Sequence, residues 1–304
     1  MIDRKKLKYI MKDRTNDECA KHLGVSKRTI ARWLNSFGLR YQELKHSNFP
    51  KEFSQEQTNF LTASMLGDGS IDKQGRFKLK MKSDKKEYVD WSRQLLSPMS
   101  RKLQNEDGVR NGIITKSTYF CTSNYLLFKD LRSVWYPSDY KKVPENIEIN
   151  QMTLSHWFIQ NGCNIWQKKN AQFITHCFDA NSVDLLVCKI NKIGFRSTIQ
   201  KNKKGKFTIN IGAREYFEFI EFINKHNCFD CFSYKFDTSK CKKNILNGGA
   251  YKLNFQKAEQ IRNIYKNLNC TQKYLAEKFN VTQSAIGKVL NNISYQRESN
   301  GFKK

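Results

Sequence analysis

Apolar and polar positions along this chain alternate with two periods, one close to 3.6 and one close to 2, and the switches between them outline its elements. In residues 15–40, Ala20 and Leu23 share a helical face, Gly24 offers a turn and Val25 fills the corner. Ser26 then caps a second helix whose inner face is Ile30, Trp33 and Leu34. This is helix-turn-helix spacing. Residues 271–291 repeat the grammar, with Leu275, Ala276 and Phe279 inward, Asn280 at the turn, Val281 at the corner and Thr282 as cap before Ile286, Val289 and Leu290. Phe255–Asn267 supplies a preceding helix there.

Between these ends the pattern runs through a helix over Thr58–Leu66, then a strand in which Phe77, Leu79 and Met81 alternate with Lys78, Lys80 and Lys82. A helix over Lys85–Leu96, a hairpin over residues 108–122 and a helix over Tyr125–Trp135 follow. The order then begins again. A helix over Leu154–Gln160 ends in Asn-Gly, Gln172–Phe178 reads as a strand, and Asn181–Ile193 is helical. In one strand Phe195, Ser197 and Ile199 alternate with Arg196, Thr198 and Gln200; in the next Phe207, Ile209 and Ile211 alternate with Lys206, Thr208 and Asn210. The turn between them, Lys201 to Gly205, carries Lys203 and Lys204, and Arg214–Lys225 closes the unit as a helix. Helix, two strands, helix, two strands, helix, twice over, is a diverged internal duplication. The joints fall around residues 47–54 and 237–252, the latter containing Asn247-Gly248-Gly249.

Charge narrows the function. The 304 residues carry 54 Lys plus Arg against 28 Asp plus Glu, a net charge of +26 spread along the chain rather than gathered in a tail. With 39% hydrophobic and 13% aromatic residues the chain has the material for folded cores, which excludes a disordered polycation. A positive field of this size suits a nucleic-acid partner and argues against a secreted hydrolase or an enzyme of neutral metabolites. Lys27, Arg28, Thr29 and Arg32, and in the second copy Gln283, Ser284 and Lys288, lie outside the helical cores, where a recognition helix meets a major groove. The strand faces offer Lys78, Lys80, Lys82, Arg196, Thr198, Gln200, Lys206, Thr208 and Asn210 to phosphates and base edges, with Lys203 and Lys204 on the turn. No run near the N-terminus has the apolar length of a signal peptide or membrane span, and nine cysteines without framework spacing fit a reducing interior. His226, Cys228, Cys231 and Cys241 suggest a zinc knuckle only weakly, since a second close pair is lacking.

Two segments now carry a resemblance. Leu61-Thr62-Ala63-Ser64-Met65-Leu66-Gly67-Asp68-Gly69 is similar to the nine-residue signature of the LAGLIDADG homing endonucleases in their single-chain, two-motif form. Leu154-Ser155-His156-Trp157-Phe158-Ile159-Gln160-Asn161-Gly162 resembles the second copy. Trp135-Tyr136-Pro137 followed by Lys141-Lys142-Val143-Pro144, and Tyr234-Lys235-Phe236, extend the likeness over roughly residues 55–237.

The resemblance implies an α+β fold of two pseudo-symmetric αββαββα halves forming a DNA-binding saddle, with small all-α helix-turn-helix domains at both termini. The expected domains are 1–46, 55–148, 149–237 and 252–296. It implies two signature helices packed together through small residues (Ala63, Ser64 and Ser155), an acid at the eighth motif position of each half binding divalent metal, and double-strand breaks with short 3′ overhangs. Carried onto this sequence, the metal ligands are Asp68 and the backbone carbonyls of Gly67 and Gln160, with Lys142 and Lys235 as the central basic residues. The ion would be Mg²⁺, or another divalent cation such as Mn²⁺ or Ca²⁺.

The second motif departs from the pattern. Asn161 stands where Asp68 stands in the first, and an amide has no charge to offer a hard cation. Asn161 is thus a degenerate catalytic position and at most a weak ligand, and the expected activity is metal-dependent hydrolysis that is impaired or confined to one strand. A DNA-binding regulator without nuclease activity is the alternative, and Asn161 as an inactivating change from aspartate is a further one. A helper of intron RNA splicing is disfavoured, because the A-form major groove poorly admits a helix. The expected partner is double-stranded DNA with a long, mostly asymmetric target and no membrane. A monomer suffices, because one chain holds both half-sites. The expected setting is intracellular, the cytoplasm or nucleoid of a bacterial or phage-infected cell rather than an organelle.

Overall fold

The computed structural model describes residues 2–11, 14, 16–39, 48–110, 112–241, 253, 255–268 and 270–293. Residues 242–252 of the joint read at 237–252, and the ends of the expected terminal domains at 40–46 and 294–296, lie outside the described residues. Packing divides the chain into two compact units that do not follow the sequence halves. One is Met1–Gln57 with Ile71–Arg132, the other Thr58–Ser70 with Ser133–Lys304.

The first unit opens with three short helices, α1 (Arg4–Met11), α2 (Asn16–Leu23) and α3 (Lys27–Ser36). Leu7, Met11, Cys19 and Ile30 form their water-free core. Gly24 adopts φ +63°, and the Val25 N–H donates to the Ala20 carbonyl at 2.9 Å to close the turn. Ser26 caps α3 by accepting from the Thr29 N–H. The rest of this unit is built on the first of two four-stranded antiparallel sheets. Its order is β1 (Ser70–Ile71), β2 (Phe77–Lys82), β4 (Ile113–Cys121), β3 (Gln104–Arg110). Helix α5 (Lys86–Leu95) packs on β2 and β4, and Phe77 stacks on Phe128 of α6 (Leu126–Trp135). The period of two in β2 therefore puts Phe77 and Leu79 in the core, while Lys80 and Lys82 are exposed and Lys78 half-buried.

The second unit holds most of α4 (Gln55–Leu66), together with α7 (Gln151–Asn161) and the second sheet. That sheet runs β5 (Gly162–Ile165), β6 (Asn170–Ile174), β8 (Phe207–Ile211), β7 (Ser197–Lys201), all antiparallel. Helices α8 (Ala180–Ile193) and α9 (Tyr216–Asn224) and the short α10 (Ser233–Phe236) complete it. Its core is aromatic. Trp157 stacks on Phe173 at 4.1 Å, and Phe158 meets Phe173, Phe219 and Phe236 edge-on. Such pairs add about 0.5–1.5 kcal/mol each beyond area burial.

Two sequence expectations change here. The strand read as Gln172–Phe178 is Asn170–Ile174, because Thr175–Phe178 turns, with the Phe178 N–H donating to the Thr175 carbonyl at 3.1 Å. Ile199, expected inward, is 37% exposed, since β7 is an edge strand. The C-terminal helices α11 (Phe255–Leu268), α12 (Gln272–Lys278) and α13 (Gln283–Leu290) enclose Ala258, Ile261, Leu275 and Ile286. Their turn repeats that of α2 and α3: Asn280 has φ +51°, Val281 N–H donates to the Ala276 carbonyl at 2.9 Å, and Thr282 caps by accepting from Ala285 N–H.

Candidate metal and nucleic-acid site

Helices α4 and α7 carry the two signature segments and pack side by side in the same direction. At their N-terminal ends Asn150 Nδ2 donates to Asn59 Oδ1 at 2.9 Å. Midway the Phe60 ring meets the His156 imidazole edge-on at 5.9 Å. At their C-terminal ends Gln160 Nε2 donates to Ser64 Oγ at 2.9 Å, and the Asp68 N–H donates to Gln160 Oε1 at 3.0 Å. Ala63, Ser64 and Ser155 are buried, and Ser64 takes part in the contact between the helices. Burial holds His156 neutral, with its pKa pushed down to about 3 and the His226 charge adding to the effect. A protonated imidazole there would be a charge largely removed from water.

The two helix ends are built alike. Lys141 Nζ donates to the Gly69 carbonyl at 2.8 Å. Lys235 Nζ donates to the Gly162 carbonyl at 2.9 Å, and also to Phe158 and Ile159 at 3.1 and 2.6 Å. Gly69 and Gly162 are the matching motif positions. In each half an ammonium group thus meets the carbonyl of the motif's last glycine, and Lys235 also meets carbonyls in the last turn of its signature helix, where the helix dipole favours a cation. Burial lowers the Lys141 pKa to about 8, against the opposing pull of Cys177 and Asp68.

The expected basic pair, Lys142 and Lys235, is placed unequally. Lys142 is exposed, and its backbone N–H donates to the Trp135 carbonyl at 2.8 Å, while its neighbour Lys141 meets the Asp68 turn. Lys235 is half-buried against the carbonyl end of α7.

Asp68 is the single acid of the two turns. Its side chain reaches solvent, yet the surrounding protein thins its hydration and raises its pKa above the usual carboxylate value. Lys235, and then Lys141, pull it back down. Asn161, on the adjoining turn, is half-buried. Among the described residues no three His, Cys, Asp or Glu side chains come together as metal ligands. Cys228 is exposed and Cys241 is buried with Sγ toward the Trp166 carbonyl, so a zinc knuckle finds no support. One carboxylate on an open turn is the kind of donor that a Mg²⁺-like ion uses when it keeps its waters and shares substrate phosphates.

The sheets carry the remaining candidates. On β2, Lys80 Nζ pairs with Glu106 of β3 at 2.9 Å and Lys78 lies 4.3 Å from the Tyr119 ring centroid. On the second sheet Arg196, Thr198, Gln200, Lys203, Lys204 and Lys206 are exposed. Thr208 and Asn210 are not: 8% and 7% exposed, they accept from Gln172 Nε2 at 3.2 and 3.0 Å, and Asn210 accepts from Asn170 as well. The expected pair of open base readers is instead part of an amide network across β6 and β8. In the terminal helices Arg28, Arg32, Gln283, Ser284 and Lys288 are exposed, Thr29 is half-buried and Lys27 pairs with Asp17.

Comparison with known proteins agrees with this architecture. The sequence pattern of the LAGLIDADG DNA endonuclease family matches residues 58–219. The chain belongs to this family. Over 234 residues it is 24% identical to the uncharacterized protein MJ1098 of Methanocaldococcus jannaschii, covering 71% of this chain and 88% of that one. It is similar in fold to the homing endonuclease I-WcaI, solved bound to its DNA recognition sequence. The TM-score is 0.59 at 18% identity, covering 65% of this chain and 92% of that one. The homing endonuclease I-DmoI, solved with DNA and Mn, is more distant, with a TM-score of 0.37 at 13% identity over 55% of this chain and 96% of that one.

Proposed function

We propose that this protein is a site-specific DNA endonuclease of the homing type that hydrolyses one strand of its target at the Asp68 turn. The observation that carries the reading is the unequal pair of helix ends. Both have a lysine on the motif glycine carbonyl, but only one has a carboxylate. Asp68, with the backbone carbonyls of Gly67 and Gln160 that the family pattern assigns, would hold one divalent ion, Mg²⁺ by the hardness of its donors. When bound, such an ion supplies Lewis-acid polarisation of the phosphate and acidifies a water. Lys141 and Lys235 place positive charge where a phosphodiester gains negative charge on attack. Asn161 gives its half an amide in place of an acid, which leaves the second strand uncut or cut slowly.

The rest of the chain serves recognition. The terminal segments 1–46 and 252–296 act as helix-turn-helix modules through Arg28, Arg32, Gln283, Ser284 and Lys288, and lengthen the footprint by tethering. The halves 55–148 and 149–237 contribute Lys78, Lys80, Lys82 and the exposed residues of β7 to the grooves. The partner is double-stranded DNA with a long asymmetric target, read by one chain as a monomer. Among the described residues no helix is long and apolar enough to cross a membrane.

A nicking assay with strand-specific labels on a mapped binding site tests this. Metal-dependent cutting of one strand that disappears in Asp68→Asn is expected, with second-strand cutting gained in Asn161→Asp. Tight binding with no cutting of either strand at any metal concentration, in both the natural chain and Asn161→Asp, would leave a DNA-binding protein without nuclease activity.

A further inference from the structure

The two signature segments also differ at the position just before the acid, and that difference points at Asp68. Where the first motif has Gly67, the second has Gln160. The Gln160 side chain, 6% exposed, leans across the helix seam into the first motif's turn. Its Oε1 accepts the Asp68 N–H at 3.0 Å and its Nε2 donates to Ser64 Oγ at 2.9 Å. The approach is so close that a Cβ at Gly67 would stand 2.6 Å from Gln160 Oε1 and 2.7 Å from its Cβ. No other side chain fits between.

We propose that Gln160 is the positioning residue of the Asp68 metal position. The second motif has lost its charge and supplies geometry instead, fixing the backbone of Asp68 so that the carboxylate meets an ion without first being ordered. The inference rests on the metal role of Asp68 proposed above. A ligand held in place loses less conformational freedom on binding than one that must be fixed by the ligand itself. Three features separate a positioning role from simple packing. The bond goes to the N–H of the ligand residue itself, the amide is engaged at both ends, and Gly67 is shaped to admit it.

The test uses Mn²⁺ as probe and the full chain bound to its mapped target duplex, with bound metal read by electron paramagnetic resonance. Binding that depends on Asp68 is defined as the part lost in Asp68→Asn. Gln160→Met keeps the volume and removes both hydrogen bonds. Gln160→Glu keeps the acceptor for the Asp68 N–H, with the Ser64 hydroxyl turning to donate. We expect Gln160→Met to weaken the Asp68-dependent Mn²⁺ affinity about tenfold and Gln160→Glu to preserve or strengthen it. If Gln160→Met does not fold by circular dichroism, Gln160→Asn, which keeps the amide but not the reach, takes its place with the same expected loss. Natural affinity in the Met or Asn variant, or equal losses in Met and Glu, overturns the positioning role alone. Absence of any Asp68-dependent binding in the natural chain overturns the metal reading of Asp68 and this inference with it.

Discussion

Replacing Lys235 by Met removes one ammonium group and leaves three carbonyls, those of Phe158, Ile159 and Gly162, without their shared donor. Hydrogen bonds to a charged group are worth about 1.5–3 kcal/mol each, but three bonds to one ammonium are not additive. Hydrating the half-buried lysine in the unfolded chain returns part of the gain, and water can reach some of the freed carbonyls. About 3 kcal/mol is the net loss we expect, with a fall of roughly 6–12 °C in the melting temperature of the unit that holds α7. A chain of several units does not unfold in one step, so hydrogen exchange followed by mass spectrometry is the proper assay, with the loss read in peptides covering residues 156–165. Lys235→Arg should recover part of the protection, since a guanidinium can still donate to two of the carbonyls. A loss below about 1 kcal/mol, or one no larger there than in the terminal helices, would refute the view that this lysine closes the helix end.

Gly67→Ala should cost about 2–3 kcal/mol by overpacking against Gln160, and much less in a Gln160→Gly background; additive losses in thermal melts of the two single and the double variants would contradict the steric account. Glu215 is buried, accepts from the Arg196 N–H, and has its pKa raised to about 7 chiefly by desolvation. The folded state therefore holds the proton more tightly than the unfolded one, and stability falls as pH rises from about 4.5 to about 7. Glu215→Gln should remove that slope and stabilise the protein at pH 8 by about 3 kcal/mol; an unchanged slope in melts between pH 4 and 8 would assign it to another group. Affinity for target duplex, followed by fluorescence anisotropy, should fall on the order of 10³–10⁵ between ~50 and ~200 mM salt if ~6–10 phosphates are contacted; a weak salt dependence would speak against broad backbone contact.

Much of this architecture is legible in the chain because its elements are strongly periodic. The Phe77-to-Lys82 alternation and the capping residues Ser26 and Thr282 give strand and helix starts that the structure reproduces. Strand β1 directly follows the first motif's last glycine, β5 begins on the second's, and both are too short to show a period. Adjacent Lys141 and Lys142 lie in an irregular stretch, where no repeat tells which side chain turns inward. The covering of Thr208 and Asn210 depends on cross-strand register with Asn170 and Gln172, which is a tertiary property. One signal could have revealed Gln160. Two motifs meant to be alike place a glycine in one and a long amide in the other at the same position, a complementarity of size across a close contact.

That complementarity has a consequence for ancestry. A duplicated gene begins with interchangeable repeats, and exchange between them tends to keep them identical. Here copying the first repeat's residue over the second leaves a void beside Asp68, while the reverse copy drives two glutamines into one space. At this position each repeat has become the other's mould, so making the two alike in either direction would cost packing at the Asp68 turn.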